Sequence, residues 1–151
     1  MTGFKPKSDD YAARVRESFL KQGLMSTLGA QICKVEPGLV EIELLYDTGL
    51  TQQHGFIHAG AISSIIDSAG GYAAFSLFSE GDGVLTVEFK LNLIAPADGE
   101  KIIARGEVIR PGRTITVTKG EVVSIKNGIE TTCALMQQTI MRIVGRSDVV
   151  G

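Results

Sequence analysis

The longest run of apolar and small residues starts at Ala59 and continues to about Phe78, with no proline and Asp67 as its only charge. That pattern predicts a long helix, apolar on nearly all sides and wrapped by the rest of the fold. Upstream, Tyr11, Val15, Phe19 and Leu20 are spaced for a short amphipathic helix over 9–22, with Asp9 and Asp10 as caps and Gly23 as its end. A short turn at Leu24–Leu28 follows, before Gly29. Ala30–Glu36 and Leu39–Tyr46 read as two strands of a hairpin closed by Pro37-Gly38. The alternation Val40-Glu41-Ile42-Glu43-Leu44 marks a sheet with one wet and one buried face. Beyond the turn at Ser79–Gly83 the chain is strand-like to its end. Val84–Ile94 stops at Pro96, Glu100–Arg110 at Pro111-Gly112, Arg113–Ile125 at Lys126-Asn127-Gly128, and Ile129–Val144 runs to a polar tail at 145–151.

The order is therefore a helix, two strands, one long buried helix and four long strands. An antiparallel sheet of about six strands curled round one apolar helix satisfies it, an α+β arrangement. With no repeat, low-complexity segment or linker, residues 1–151 read as a single domain, of which 1–23 form an N-terminal helical region. The open edge of such a sheet invites pairing with a second copy, a common route to a symmetric dimer.

Composition narrows the function. The net charge of −2, with no Lys or Arg run, gives no electrostatic support for nucleic acid or membrane surfaces. Met1 to Asp10 lacks the apolar core of a signal peptide, and Asp67 with two adjacent glycines interrupts the best candidate membrane span. Cys33 and Cys133 are too few for a disulfide framework and lack CxxC spacing, so they read as free buried thiols. A cytoplasmic enzyme or binding protein is expected.

Both histidines lie in the polar loop that enters the long helix, Gln52-Gln53-His54-Gly55-Phe56-Ile57-His58-Ala59-Gly60, and Asp67 follows nine positions after His58. A lone carboxylate on an apolar helix needs hydrogen-bond partners or a shifted pKa. Alternatively it shares a polar stripe with Ser63, Ser64 and Ser68. His54 and His58 with Asp67 could suggest a metal, but the histidines flank Gly55 in a loop and are not presented by one helix face, so no metal is expected. The serines lack a nucleophile-elbow signature, and neither GxGxxG nor a Walker loop is present.

The pattern Gln52-x-His54-Gly55-x-x-His58-Ala59-Gly60 with Asp67 resembles the hotdog-fold acyl-CoA thioesterases of the phenylacetyl-CoA (PaaI-like) type. Pro37-Gly38, Ala95-Pro96-Ala97 and Arg110-Pro111-Gly112-Arg113 fall where that family has comparable features, so the likeness spans nearly the whole chain. It implies a hotdog fold, with a central helix in a curled sheet, assembled as homodimers that often pair into homotetramers. It also implies hydrolysis of an acyl-CoA to a free acid and CoA with no cofactor beyond the CoA of the substrate.

Within that resemblance Asp67 is the general base or the nucleophile. The amides of Ala59 and Gly60, at the helix start, would polarise the carbonyl. The family usually has two glycines there; alanine keeps its N–H. Gln52 matches a position more often held by Asn, on a longer arm. Thr86 matches a family Ser or Thr that hydrogen-bonds the water or the carboxylate, though a strand threonine is equally ordinary. His58 could be a base or could orient the loop. Arg110 and Arg113 around Pro111-Gly112, then Lys90 and Lys101, are candidates for CoA phosphates or else solvated surface residues. Phe56, Ile57 and Tyr72 to Phe78 are candidate acyl-chain walls, or plain core. Ala59 and Asp67 lie about 12 Å apart along a helix rising 1.5 Å per residue, so one carbonyl could use both only across a dimer interface. Two other readings are a hotdog hydratase or dehydratase, for which a third histidine is missing, and a non-catalytic acyl-CoA binding module.

Overall fold

A computed structural model of the chain describes residues 3–151. Its elements are α1 (Tyr11–Leu20), α2 (Gly23–Leu28), β1 (Gln31–Glu36), β2 (Leu39–Leu45), α3 (Ala59–Phe75), β3 (Gly83–Leu93), β4 (Lys101–Arg110), β5 (Ile115–Lys126) and β6 (Ile129–Ile143). The six strands form one antiparallel sheet in the order β1-β2-β4-β5-β6-β3. This is the hotdog arrangement, with the sheet curled round α3.

Alternation decides which face meets the helix. Ile42, Leu44, Ile102, Ala104, Val122 and Ile140 point inward and are buried with Ile62, Ile65, Ile66, Ala69 and Ala73 of α3. The helix approaches the sheet closely where Gly106 pairs with Gly120. A Cβ on Gly106 would sit 2.3 Å from the backbone of Ala69 and Gly70, and one on Gly120 2.8 Å from Ile66. Side chains at those two positions would push the helix off the sheet.

Two-residue turns close two hairpins. Gly38 has φ 77°, and Asn127 and Gly128 have φ 52° and 77°, as the tight turn between β5 and β6 requires. The outer face carries ion pairs in place of a second layer: Arg105 meets Glu41, Glu121 and Glu130, and Lys119 meets Glu107. At the C-terminal end of α3, rings of Phe19, Tyr72, Phe75 and Phe78 stack edge to face, and Arg14 lies 5.0 Å over Phe75.

Three expectations change. The long helix ends at Phe75, short of Phe78, because Ser76 Oγ donates to Ala73 O and accepts from Gly38 N, tying the chain to the β1–β2 turn. It is not apolar all round: Ser63, Ser64, Asp67 and Ser68 form a half-buried stripe. Cys33 is exposed, at a bulge in edge strand β1, whereas Cys133 is buried. Among the described residues no helix is long and apolar enough to cross a membrane.

Candidate active site

The loop before α3 is held by its own backbone. Gln52 N donates to Phe56 O, Gly55 N to Gln52 O, and His58 N to Leu50 O, while Thr51 bridges Ile57. Gly55 takes φ 84°, and Tyr46 Oη donates to its carbonyl at 3.0 Å. Ile57 N donates to Ala97 O at 3.1 Å, which joins the loop to the Ala95-Pro96-Ala97 segment after β3. The Gln52 side-chain oxygen accepts from His54 N, so the group's remaining hydrogen-bonding capacity is mainly its NH₂ donor.

His58 caps α3. Its backbone is extended (φ −64°, ψ 142°), its carbonyl accepts from Ala61 and Ile62, and its Nδ1 accepts from Gly60 N at 2.7 Å. Accepting at Nδ1 places the ring proton on Nε2. The expectation that both Ala59 and Gly60 amides face a substrate carbonyl therefore changes, since the Gly60 N–H is already engaged. The Ala59 N–H has no partner among the described residues and stands at the positive end of the helix dipole.

Eight residues along α3, Asp67 is held from two strands. Thr86 Oγ1 on β3 and Gln138 Nε2 on β6 each donate to Asp67 Oδ1 at 2.8 Å. Oδ2 has no partner among the described residues. Gln138 is a site residue that the sequence reading missed, although a polar residue at the inward position of Ala134, Met136, Gln138 and Ile140 was a visible signal.

Asp67 opens on a cleft of about 320 Å³. Ser68, Gly71 and Tyr72 of α3, Val84 to Thr86 of β3, Ser18 and Gln22 near α1, and the tail residues Val149 to Gly151 complete its wall. One side is polar: Gln22 bridges Tyr72 Oη (2.9 Å) and Ser68 Oγ (3.3 Å), and Ser18 Oγ lies 3.1 Å from Tyr72 Oη. Of the expected acyl-chain walls, Tyr72 lines this cleft, whereas Phe75 and Phe78 are buried in the core and Ile57 is buried under the loop.

The expected site residues thus fall into separate groups. Asp67 and Thr86 meet directly, and Gln52, Phe56, His58, Ala59 and Gly60 gather at the other end of the helix stripe. Arg110, Gly112 and Arg113 are exposed at the β4–β5 turn. Lys90 is on the outer sheet face bonded to Asn92, and Lys101 is paired with Glu43 at 2.6 Å, so neither lies at the cleft. Among the described residues no three His, Cys, Asp or Glu side chains gather as metal ligands.

Comparison with known proteins places this fold. The family model described as thioesterase superfamily matches residues 54–131, just over half the chain. A crystal structure of a thioesterase family protein from Silicibacter pomeroyi is 51% identical, with TM-score 0.88, covering 89% of this chain and 99% of that one. A Halobacterium salinarum protein bearing an esterase name is 32% identical over 129 residues, 82% of this chain and 83% of its own. The Escherichia coli PaaI protein from the phenylacetic acid degradation operon shares the fold at TM-score 0.80 with 19% identity, covering 91% of this chain and 96% of that one.

Proposed function

Because the chain belongs to the thioesterase superfamily and has its hotdog fold, we propose that it hydrolyses acyl-CoA thioesters to a carboxylic acid and CoA, with Asp67 as general base. The observation that carries this reading is the half-buried Asp67 carboxylate, braced through one oxygen by Thr86 and Gln138 and opening on a cleft. Oδ2 takes a proton from water as the water oxygen attacks the thioester carbonyl carbon. The C–S bond then breaks, and the proton passes to the departing CoA sulfur. The Ala59 N–H, aimed by the helix start, stabilises the oxyanion of the tetrahedral intermediate.

One chain cannot bring these groups to one carbonyl, since they are about 12 Å apart along the helix. The proposed active unit is therefore a homodimer, with Asp67 of one copy facing Ala59 of the other. β3 supports it: this 11-residue strand is the sheet edge and exposes Leu85, Val87, Phe89 and Leu93. Such an apolar edge calls for a partner strand. Exposed Arg110 and Arg113 are the proposed contacts for CoA phosphates.

The test is release of free CoA from acetyl-, hexanoyl-, palmitoyl- and phenylacetyl-CoA by wild type and Asp67→Ala. Turnover by wild type with a loss of at least ~100-fold in the variant upholds the proposal. Binding of acyl-CoA without turnover by either protein replaces it with a non-catalytic binding module.

A further inference from the structure

We infer that Gln138 is a positioning residue that selects which oxygen of Asp67 does the chemistry. The inference rests on the reading of Asp67 as the base. Gln138 is 1% exposed, and its three hydrogen bonds fix its carboxamide completely. Nε2 donates to Asp67 Oδ1 at 2.8 Å and to the Asp67 carbonyl at 3.1 Å, while Oε1 accepts from Thr118 Oγ1 at 3.1 Å. The amide cannot be flipped, because the Asp67 carbonyl oxygen and carboxylate only accept.

Bonding the main chain and the side chain of one residue locks the carboxylate's torsions relative to α3. Thr86 alone, a single donor on the exposed edge strand, would leave the carboxylate free to swing about that one bond. With Gln138 present, both donors converge on Oδ1, from β3 and from β6, and Oδ2 is the oxygen left for water. An amide also adds no charge beside the carboxylate, so Asp67 is oriented by hydrogen bonds without an ion pair.

The rest of the fold makes room for this arrangement. A Cβ on Gly70 would lie 1.7 Å from Gln138 Oε1 and 2.9 Å from Thr118 Oγ1. Glycine within a helix is otherwise unfavourable relative to alanine. Here it lets the amide slide under α3 and reach the main chain at Asp67.

The experiment compares kcat and KM for wild type, Gln138→Leu, the double variant Thr118→Val/Gln138→Leu, and Asp67→Ala, with thermal unfolding of each. The double variant removes the Thr118 hydroxyl that the single one strands, so a folded protein is available even if Gln138→Leu collapses. The expected result is a folded variant whose kcat falls roughly 10- to 100-fold, in line with misplacement of a reacting group, while KM stays within about 2-fold. A structural residue alone would lower the unfolding temperature and leave kcat of the folded enzyme intact. Folded variants with unchanged kcat, or with a change in KM only, overturn the inference, and a ≥100-fold loss in Asp67→Ala then leaves the thioesterase reading standing. Full activity in Asp67→Ala would sink both. A measurement that leaves Gln138 itself unaltered closes the remaining gap: its ¹⁵N-labelled side-chain amide should exchange slowly in the wild type and shift in Asp67→Asn. Free exchange with no shift overturns the inference.

Discussion

His58 Nδ1 accepts the Gly60 amide at 2.7 Å, and this bond leaves Ala59 as the only one of the two expected amides free for a substrate oxygen. Ala59 is the first residue of α3, and the residue before it already has extended backbone at φ −64°, ψ 142°. Proline is at home in the first helical position and asks for an extended predecessor. Ala59→Pro therefore deletes one N–H with little disturbance to the helix. The expected outcome is a fall in kcat of about 100- to 1,000-fold, the range for one oxyanion donor, with the unfolding temperature nearly unchanged. Steady-state kinetics beside thermal denaturation check it.

Thr86 is the second brace on Asp67, and it lies on the exposed edge strand. Thr86→Val keeps the branched shape that suits a strand and removes only the hydroxyl. With Gln138 still in place the carboxylate keeps one donor, so kcat should fall by less than in the Gln138 variants, by about 10-fold (1.4 kcal/mol) for one charge-assisted hydrogen bond. A kcat equal to wild type would make Thr86 an ordinary strand residue.

The sheet, the central helix and the hairpins were legible because alternation and helical spacing each carry a period that burial enforces. Val40 to Leu44 and the glycine turn at Asn127-Gly128 read directly into β2 and the β5–β6 hairpin. The pairing of Asp67 with Thr86 was accessible only through the family resemblance, since 19 residues separate them. Gln138 stands 71 residues beyond Asp67, and no local pattern names its partner. Capture of the Gly60 amide by His58 depended on one rotamer. Similarly, the helix stops at Phe75 through a bond from Gly38, 38 residues upstream of Ser76. Contacts of that range are set by tertiary packing, which propensity does not encode.

The two thiols should separate cleanly by reactivity. Burial pushes the Cys133 thiol up to about 11, and burial with Glu41 and Glu43 nearby raises that of exposed Cys33 less far. The thiolate is the reactive form, so at pH 8 only about one Cys133 in a thousand carries it. Titration with a chromogenic disulfide should detect one thiol per native chain, reacting slowly and faster as pH rises, and two after denaturation. Two fast thiols in the native protein would contradict the burial of Cys133.

Asp82 and Arg142 form the least exposed ion pair among the described residues, with Nε and Oδ2 2.6 Å apart. Asp82 Oδ2 also accepts from Ser79 N, and Arg142 reaches Ser79 Oγ, so the pair fastens the turn that launches β3. Arg142→Ala leaves a carboxylate buried without its counter-charge. The expected loss of stability is about 3–5 kcal/mol, read by urea denaturation, and Asp82→Asn/Arg142→Met should recover part of it.

Sharing of the site between two copies is testable with two inactive proteins. In a homodimer of Asp67→Asn, neither site has a base; in one of Ala59→Pro, neither has the oxyanion donor. A mixed dimer contains one doubly altered site and one site with an intact Asp67 from one chain and an intact Ala59 from the other. Random exchange of equal amounts makes half of the dimers mixed, each with one of two sites restored, so activity should rise to about 25% of wild type. If each site were built within one chain, every site would carry one of the two lesions and mixing would restore nothing. Refolding the two variants together, beside each refolded alone, decides between them, and subunit exchange followed by mass shows that mixed dimers formed.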